Sequence, residues 1–174
     1  MIEATSPDAV VGALRDVNAL RVGVDGADGC GKTTLAKALA ASLGRPLFSL
    51  DNYLEREKGG FLEFLDYPRL RRDVSAEKAY VIEGVCLLQV LQRAGLAIDA
   101  LVYIKRRHLG LWADERELDV NEPIEAFLKN ERKLTAMVAG EAVTDLGLAE
   151  DVIRYHYETR PHDNAHVVYF RDEH

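Results

Sequence analysis

The sequence predicts an α/β fold, a three-layer αβα sandwich around a five-stranded parallel sheet. Five short apolar runs occur along the chain, and the segments between them are long enough for crossover helices. The runs are apolar without alternation, which is typical of parallel strands buried on both faces. A length of 174 residues fits one domain, covering residues 1–174. The predicted strands cover residues 20–24, 46–50, 79–82, 98–104 and 166–170.

Helix signals stand before and between the predicted strands. Ser6 followed by Pro7 is typical of a helix start, so a short leading helix is predicted. Residues 33–43 are rich in Ala and Leu and stop at Gly44, which predicts a second helix directly after the first strand and its glycine-rich turn. The apolar spacing over residues 123–137 predicts a further amphipathic helix.

Composition limits the classes of function. The formal charge of −7 argues against a large sequence-independent DNA site. Cys30 and Cys86 are the only cysteines, too few for a disulfide framework and without the paired spacing of a zinc site. The first residues lack the basic and apolar regions of a secretory signal, and no run approaches the length of a membrane span. We therefore expect a cytoplasmic protein that binds neither nucleic acid nor membrane, and a homodimer is compatible with these features.

The strongest motif follows the first predicted strand. Residues 26–33 read GADGCGKT and match G-x-x-x-x-G-K-[ST], the phosphate-binding P-loop, between a strand and a helix as that motif requires. Its glycines let backbone amides turn toward a phosphate, and the helix that follows points its positive dipole end at the same anion. Lys32 would bridge the β- and γ-phosphates of ATP, and the Thr33 hydroxyl would ligate Mg²⁺. The predicted nucleotide-binding residues are Gly26, Ala27, Asp28, Gly29, Cys30, Gly31, Lys32, Thr33 and Thr34.

Two carboxylates stand where predicted strands end. Asp51 follows the second strand and Glu83 the third. Because ligands lie beyond the carboxyl ends of the strands in a doubly wound sheet, both are candidates for chemistry. Glu83 would hold Mg²⁺ through a water, and Asp51 would accept a proton from a substrate hydroxyl. Each could instead be a strand-terminal carboxylate satisfied by backbone N–H groups.

Three further segments, taken with the P-loop, resemble the uridine kinase-like branch of P-loop kinases, which includes phosphoribulokinase, pantothenate kinase and nicotinamide riboside kinase. They are Leu50-Asp51-Asn52-Tyr53, Asp66-Tyr67-Pro68 and Val81-Ile82-Glu83-Gly84. The resemblance implies the P-loop NTPase fold, a role for Asp51 as the base that contacts the acceptor hydroxyl, and contacts from Tyr53 and Asp66 to the acceptor. The P-loop departs from that family, because Asp28 stands where Ser is usual. In this respect it is closer to thymidylate kinase, whose acidic loop residue faces the substrate sugar.

Two polar segments are predicted to surround this site. Residues from about 52 to 76 would bind the acceptor, and residues from about 105 to 119 would form a lid. Arg107 and Arg116 flank the lid segment, and with Arg106 they are candidates to clamp the transferring γ-phosphate, because a guanidinium matches phosphate oxygens. The apolar residues within this segment make the lid short or altered compared with the family it resembles.

These features predict a small-molecule kinase that transfers the γ-phosphoryl of ATP, with Mg²⁺, to a hydroxyl of a nucleoside-like or other small acceptor. Asp28 keeps a nucleoside monophosphate kinase open as an alternative. The atypical lid keeps open a nucleotide-binding regulator without catalysis. A GTP switch is disfavoured, because the nearest run to the N-K-x-D guanine motif, residues 130–133, has the wrong order.

Overall fold

The structure, a computed structural model, describes residues 1–55 and 61–172. Residues 56–60, within the predicted acceptor-binding segment, lie outside the described residues. The strands are β1 (Ile2–Ala4), β2 (Arg21–Gly26), β3 (Leu47–Ser49), β4 (Tyr80–Glu83), β5 (Ala100–His108), β6 (Leu111–Trp112) and β7 (Val167–Asp172). The helices are α1 (Pro7–Asp16), α2 (Lys32–Leu43), α3 (Tyr67–Ser75), α4 (Leu87–Ala94), α5 (Glu115–Leu118), α6 (Ile124–Ala139) and α7 (Leu148–Thr159), and a 3-10 turn, Leu50–Tyr53, follows β3.

Within the described residues, one sheet has the strand order β1-β7-β5-β2-β4-β3, with β6 paired to β5. All pairings are parallel except the antiparallel pairing of β5 with β6. The predicted α/β class is confirmed, but the predicted count of five strands is wrong, because β1 and β6 are added. These two strands have three and two residues respectively, so neither shows the apolar run on which the prediction depended.

β5 is longer than its apolar run. Its last residues are polar, yet they remain strand because Lys105 to Arg107 pair in register with Phe170 to Asp172 of β7. Leu109 and Gly110 follow with φ values of 51° and 82°, the left-handed pair that a tight hairpin turn requires, and β6 returns along β5. The first part of the segment predicted to be a lid is therefore sheet in this structure.

Helices cover both faces of the sheet. β2 and β4 are buried along almost their whole length, as strands between two helical layers must be. α1 packs on α2, whereas α4 packs on α3 and β2, and α7 packs on α5 and α6. The predicted start of α1 is confirmed, since the Ser6 side chain accepts a hydrogen bond of 3.2 Å from the Ala9 N–H. Among the described residues, no helix has both the length and the apolar character needed to cross a membrane.

The carboxyl ends of three neighbouring strands, β2, β4 and β3, lie together at one end of the sheet. The register pairs Val24 of β2 and Ser49 of β3 with Glu83 of β4. The loop after β2 leads into α2, and the 3-10 turn after β3 carries Asp51. The topology therefore brings the P-loop and both strand-end carboxylates to the same end, where ligands bind in sheets of this kind.

Candidate active site

The loop between β2 and α2 folds closely against its surroundings. A Cβ at Gly26, where φ is 152°, would lie 2.8 Å from the Cys30 Sγ and 3.0 Å from the Ile104 carbonyl oxygen. A Cβ at Gly31, where φ is 97°, would lie 2.9 Å from the Arg171 Nη1. That guanidinium donates a hydrogen bond of 3.1 Å to the Cys30 carbonyl oxygen. Gly26 is therefore required by the close approach of a backbone atom as well as by conformation, whereas at Gly31 the neighbour is the end of a flexible side chain and conformation alone favours glycine.

Lys32, Thr33 and Glu83 form the polar centre of the site. The Lys32 side chain is almost buried, and its Nζ donates to the Ala27 carbonyl oxygen at 2.6 Å. The Thr33 Oγ1 donates to the Glu83 Oε1 at 3.1 Å. Because the Thr33 hydroxyl donates its hydrogen bond to Glu83, the lone pairs of its oxygen remain available to a cation. A hydroxyl and a carboxylate are oxygen ligands of the type that Mg²⁺ prefers, so these residues fit a magnesium ion.

A cavity of about 400 Å³ opens over the loop. Lys32, Thr33 and Glu83 line it, and so does Asp51, which is exposed in the 3-10 turn after β3. The cavity therefore brings together the phosphate-binding loop and both strand-end carboxylates. Asp28, Gly29, Gly31 and Thr34 also belong to its wall, whereas Gly26, Ala27 and Cys30 do not. Its apolar wall is formed by Leu54, Phe61, Val85 and Leu148.

The structure does not bring Tyr53 or Asp66 to this cavity. Tyr53 is buried, its hydroxyl donates to the Asp73 Oδ2 at 3.3 Å, and the guanidinium of Arg69 lies 5.0 Å from its ring centre. Burial raises the pKa of its hydroxyl. Asp66 caps α3, since its Oδ1 accepts from the Arg69 N–H at 3.0 Å. Contact of these two side chains with an acceptor stays a prediction.

Arg107 and Arg116 also lie away from this cavity. The Arg107 Nε donates to the Asp172 Oδ1 at 2.9 Å, at the end of β7. Arg116 is exposed and donates from Nη1 to the Glu131 Oε1 at 2.7 Å. Each guanidinium thus has a carboxylate partner in this structure, and a role in clamping phosphate stays a prediction for both.

A second cavity of about 250 Å³ adjoins the first, and Asp28 and Leu148 line both. Arg106 lines the second cavity and is held by Asp114, whose Oδ2 accepts from its Nε at 3.2 Å. Side chains of neighbouring strand residues point to opposite faces, so Arg106 and Arg107 cannot both face the loop. The alternation of side chains along a strand is therefore the feature of the sequence that shows that only one of the two arginines can face the loop. The rest of this wall is mainly apolar and comes from Leu118, Ala149, Val152 and Ile153.

Asp25 is a buried residue of the site that motif spacing does not reveal. It precedes Gly26 and is fully inaccessible. Burial raises the pKa of its carboxyl to about 6, against hydrogen bonds from Tyr155, Gly26 and Leu87 and the positive charge of Lys32, which lower it. The sequence does carry one signal, an acid within the apolar residues of β2 directly before the loop.

Comparisons with known proteins bear on the fold. The family model of shikimate kinase matches residues 28–63, less than half of the chain. No curated protein matches this chain. The solved structure of a possible uridine kinase from Bacillus stearothermophilus has a TM-score of 0.54 and 19% identity, with 94% of this chain and 96% of that chain covered.

Two solved shikimate kinases are also similar. The one from Bacteroides thetaiotaomicron has a TM-score of 0.42 and 20% identity over 86% of this chain and 85% of that chain. The one from Acinetobacter baumannii, in complex with shikimate, has a TM-score of 0.45 and 15% identity over 93% of this chain and 89% of that chain. The similarity to the possible uridine kinase shows a shared fold, and this chain has the αβα sandwich that its sequence predicts.

Proposed function

We propose that this protein is an ATP-dependent small-molecule kinase that transfers the γ-phosphoryl group of ATP to a hydroxyl of a nucleoside-like or other small metabolite. The proposal rests on one observation, that Lys32, Thr33 and Asp51 line the same cavity. A phosphate-binding loop beside a carboxylate supplies an anchor for the donor and an acceptor for the hydroxyl proton. The names of the matched family model and of the structure with the same fold, shikimate kinase and a possible uridine kinase, support this class of reaction.

In the proposed reaction, the acceptor oxygen attacks the γ-phosphorus, and the bond from that phosphorus to the bridging oxygen of the β-phosphate breaks. ADP leaves with the electron pair of the broken bond, and Asp51 takes the hydroxyl proton. A carboxylate is a weak base, which suffices because a loose transition state depends chiefly on alignment and charge neutralisation. The loop amides and the ammonium of Lys32 neutralise the charge that develops on the leaving oxygen.

A magnesium ion that accompanies ATP would be held by Thr33 and Glu83. When bound, such an ion neutralises phosphate charge and orients the oxygens of the γ-phosphoryl group. Glu83 also orients Thr33. The Glu83 carboxylate accepts a hydrogen bond from the Thr33 hydroxyl and so fixes the direction of the lone pairs on that oxygen. Thr33→Val keeps the shape of the side chain but removes both this hydrogen bond and the oxygen ligand.

The charges of the described cavity walls favour an acceptor without a phosphate. Asp28, Asp51 and Glu83 line the main cavity, where Lys32 is the one cation among the described lining residues. In the second cavity the carboxylates of Asp114 and Glu117 outnumber the one guanidinium, that of Arg106, among the described lining residues. A nucleoside monophosphate would bring two negative charges toward these carboxylates, whereas a neutral or cationic alcohol would not. We therefore rank a hydroxyl acceptor above the nucleoside monophosphate that Asp28 alone suggests.

The proposal is tested by acceptor-dependent ADP release across a panel of nucleosides, nucleoside monophosphates and other small alcohols, with Lys32→Ala as the blank. We expect turnover with at least one alcohol that carries no phosphate. Asp51→Asn should lower kcat for that acceptor by roughly a hundredfold or more, the usual contribution of a positioned base. Asp16→Asn, an exposed substitution at the end of α1, is the matched control and should leave kcat unchanged.

Three outcomes would contradict the proposal in different ways. Full activity in Asp51→Asn would mean that the Asp51 carboxylate takes no part in the reaction. Turnover confined to nucleoside monophosphates would favour the alternative kinase. ATP binding without ADP release on any acceptor would indicate a non-catalytic nucleotide-binding protein.

A further inference from the structure

A carboxylate lies buried directly under the phosphate loop. Asp25 ends the apolar run of β2, and 0% of its surface is exposed. Burying an ionised group is costly unless hydrogen bonds satisfy it. The Asp25 Oδ1 accepts from the Gly26 N–H at 2.7 Å, and its Oδ2 accepts from the hydroxyl of Tyr155. The carboxylate is therefore bonded to the first residue of the loop and to a distant helix.

The hydroxyl of Tyr155 joins two further elements to this carboxylate. Tyr155 lies on α7 and is fully buried. While its hydroxyl donates to Asp25, its oxygen accepts from the Leu88 N–H at 3.2 Å, in the first turn of α4. One side chain thus links α7 and the start of α4 to the entrance of the loop.

The helix that carries Tyr155 also forms part of the cavity walls. Leu148, two turns earlier and hence on nearly the same face of α7, lines both cavities, and Val152 lines the second. We propose that Asp25 and Tyr155 are a positioning pair, which ties α7 and the cavity wall to the conformation of the phosphate loop and thereby sets the affinity for nucleotide. This inference rests on the proposed function, since it concerns nucleotide binding at the same site.

Ionised Asp25 is the form that suits this role. Two donors converge on the carboxylate, the N–H of Gly26 and the hydroxyl of Tyr155, and the nearby N–H of Leu87 also favours its charged form. A protonated carboxyl is a weaker acceptor for both donors, and a proton on Oδ2 would oppose the hydrogen bond from Tyr155, whose oxygen already accepts from the Leu88 N–H. The titratable groups that face Asp25 come from every surrounding element, namely Cys30 of the loop, Lys32 of α2, Cys86 at the start of α4, Tyr103 of β5 and Tyr155 of α7.

Nucleotide affinity is therefore expected to fall as Asp25 takes up a proton. Burial raises its pKa to about 6, and the hydrogen bond from Tyr155 lowers it. Removing that hydroxyl should raise the pKa further, so the pH at which affinity falls should move upward. A residue that only packs the core would not produce such a shift.

The experiment measures binding of Mg-ATP without acceptor, by calorimetry at several pH values from about 5 to 8. Tyr155→Phe should weaken binding roughly tenfold at neutral pH, as expected for the loss of one hydrogen bond to a charged group, and should raise the midpoint of the pH dependence. Tyr80→Phe is the matched control. It removes the hydroxyl of another buried tyrosine, which donates to the Ala97 carbonyl oxygen at 2.7 Å and not to Asp25, so affinity and midpoint should stay those of the wild type.

Asp25→Asn provides a second, independent variant. It keeps the size of the side chain but removes the titrating group, so we expect weak binding without a midpoint in this pH range. Wild-type affinity and midpoint in Tyr155→Phe would overturn the inference, and so would a weakened affinity with an unmoved midpoint. If the wild-type protein binds no ATP at any pH, the proposed function itself fails, whatever the variants do.

Discussion

At the scale of single residues, close approach shapes the phosphate loop, and two glycines allow this to be tested. A Cβ at Gly26 would meet the Ile104 carbonyl oxygen at 3.0 Å, a backbone atom that cannot move without its strand. A Cβ at Gly29, where φ is 67°, has nothing within 4 Å. We expect Gly29→Ala to lower the free energy of unfolding by about 1 kcal/mol, the cost of a left-handed residue. Gly26→Ala should cost about 3 kcal/mol, because overpacking is added.

Urea unfolding without nucleotide measures both free energies. Equal losses in the two variants would mean that backbone conformation alone, and not the space around Gly26, makes glycine necessary there.

Single residues also mark the limit of what the sequence predicts about the site. Motif spacing selects Lys32, Thr33, Glu83 and Asp51, and all four line the cavity, because a strand end or a helix start determines where the side chain points. For Tyr53 the spacing cannot show direction, and its hydroxyl bonds to a carboxylate on the neighbouring helix. Other wall residues, Leu148 among them, are far along the chain and carry no motif, so only the tertiary fold reveals them.

At the scale of elements, an ion cluster holds α6 against α7. The Glu150 carboxylate is almost buried and accepts from the Arg132 Nε at 3.0 Å and from the Arg154 Nη2 at 2.9 Å. Burial raises the pKa of Glu150, but the hydrogen bonds from the two arginines outweigh it, and the pKa lies below its ordinary value. The stability from this carboxylate is therefore present above its unfolded pKa and is lost as the pH falls through the folded value.

Glu150→Gln should lower the free energy of unfolding by about 2 kcal/mol, because it leaves a half-buried Arg132 without its charged partner. Amide exchange along α6 should become faster. Glu125→Gln is the control, since Glu125 also bonds to Arg154, at 2.6 Å, but is 69% exposed, and no measurable change is expected. Equal effects of the two substitutions would contradict the role assigned to burial.

Elements built on long apolar runs are predicted well, and those built on pairing alone are not. The predicted helix over residues 123–137 is found as α6, but its later apolar residues Leu134 and Met137 are exposed, so the helical spacing marks the buried face only in its first half. β6 and the polar end of β5 exist because a neighbouring strand or a hairpin turn supplies hydrogen bonds. The hydropathy of the side chains does not show which segments find such hydrogen-bonding partners.

At the scale of the whole molecule, two buried groups respond to pH in opposite directions. Burial raises the pKa of Asp25 from 3.8 to about 6, and burial lowers the pKa of His156 from 6.5 to about 4. Folding therefore favours proton uptake by Asp25 and proton release by His156 between about pH 4 and 6. The stability linked to Asp25 is fully present below its unfolded pKa and is lost as the pH rises through 6, whereas that linked to His156 grows over the same range.

Each of these shifts corresponds to about 3 kcal/mol, so the two contributions should nearly cancel in the wild-type protein. Single substitutions should separate them. In His156→Gln, which keeps an acceptor for the hydroxyl of Tyr103, the free energy of unfolding should fall by about 3 kcal/mol as the pH rises from about 4 to 6. In Asp25→Asn it should rise by a similar amount, because of these two groups only the histidine still titrates. Urea unfolding at several pH values measures both slopes, and slopes of the same sign in the two variants would mean that these buried groups do not govern the pH dependence of stability.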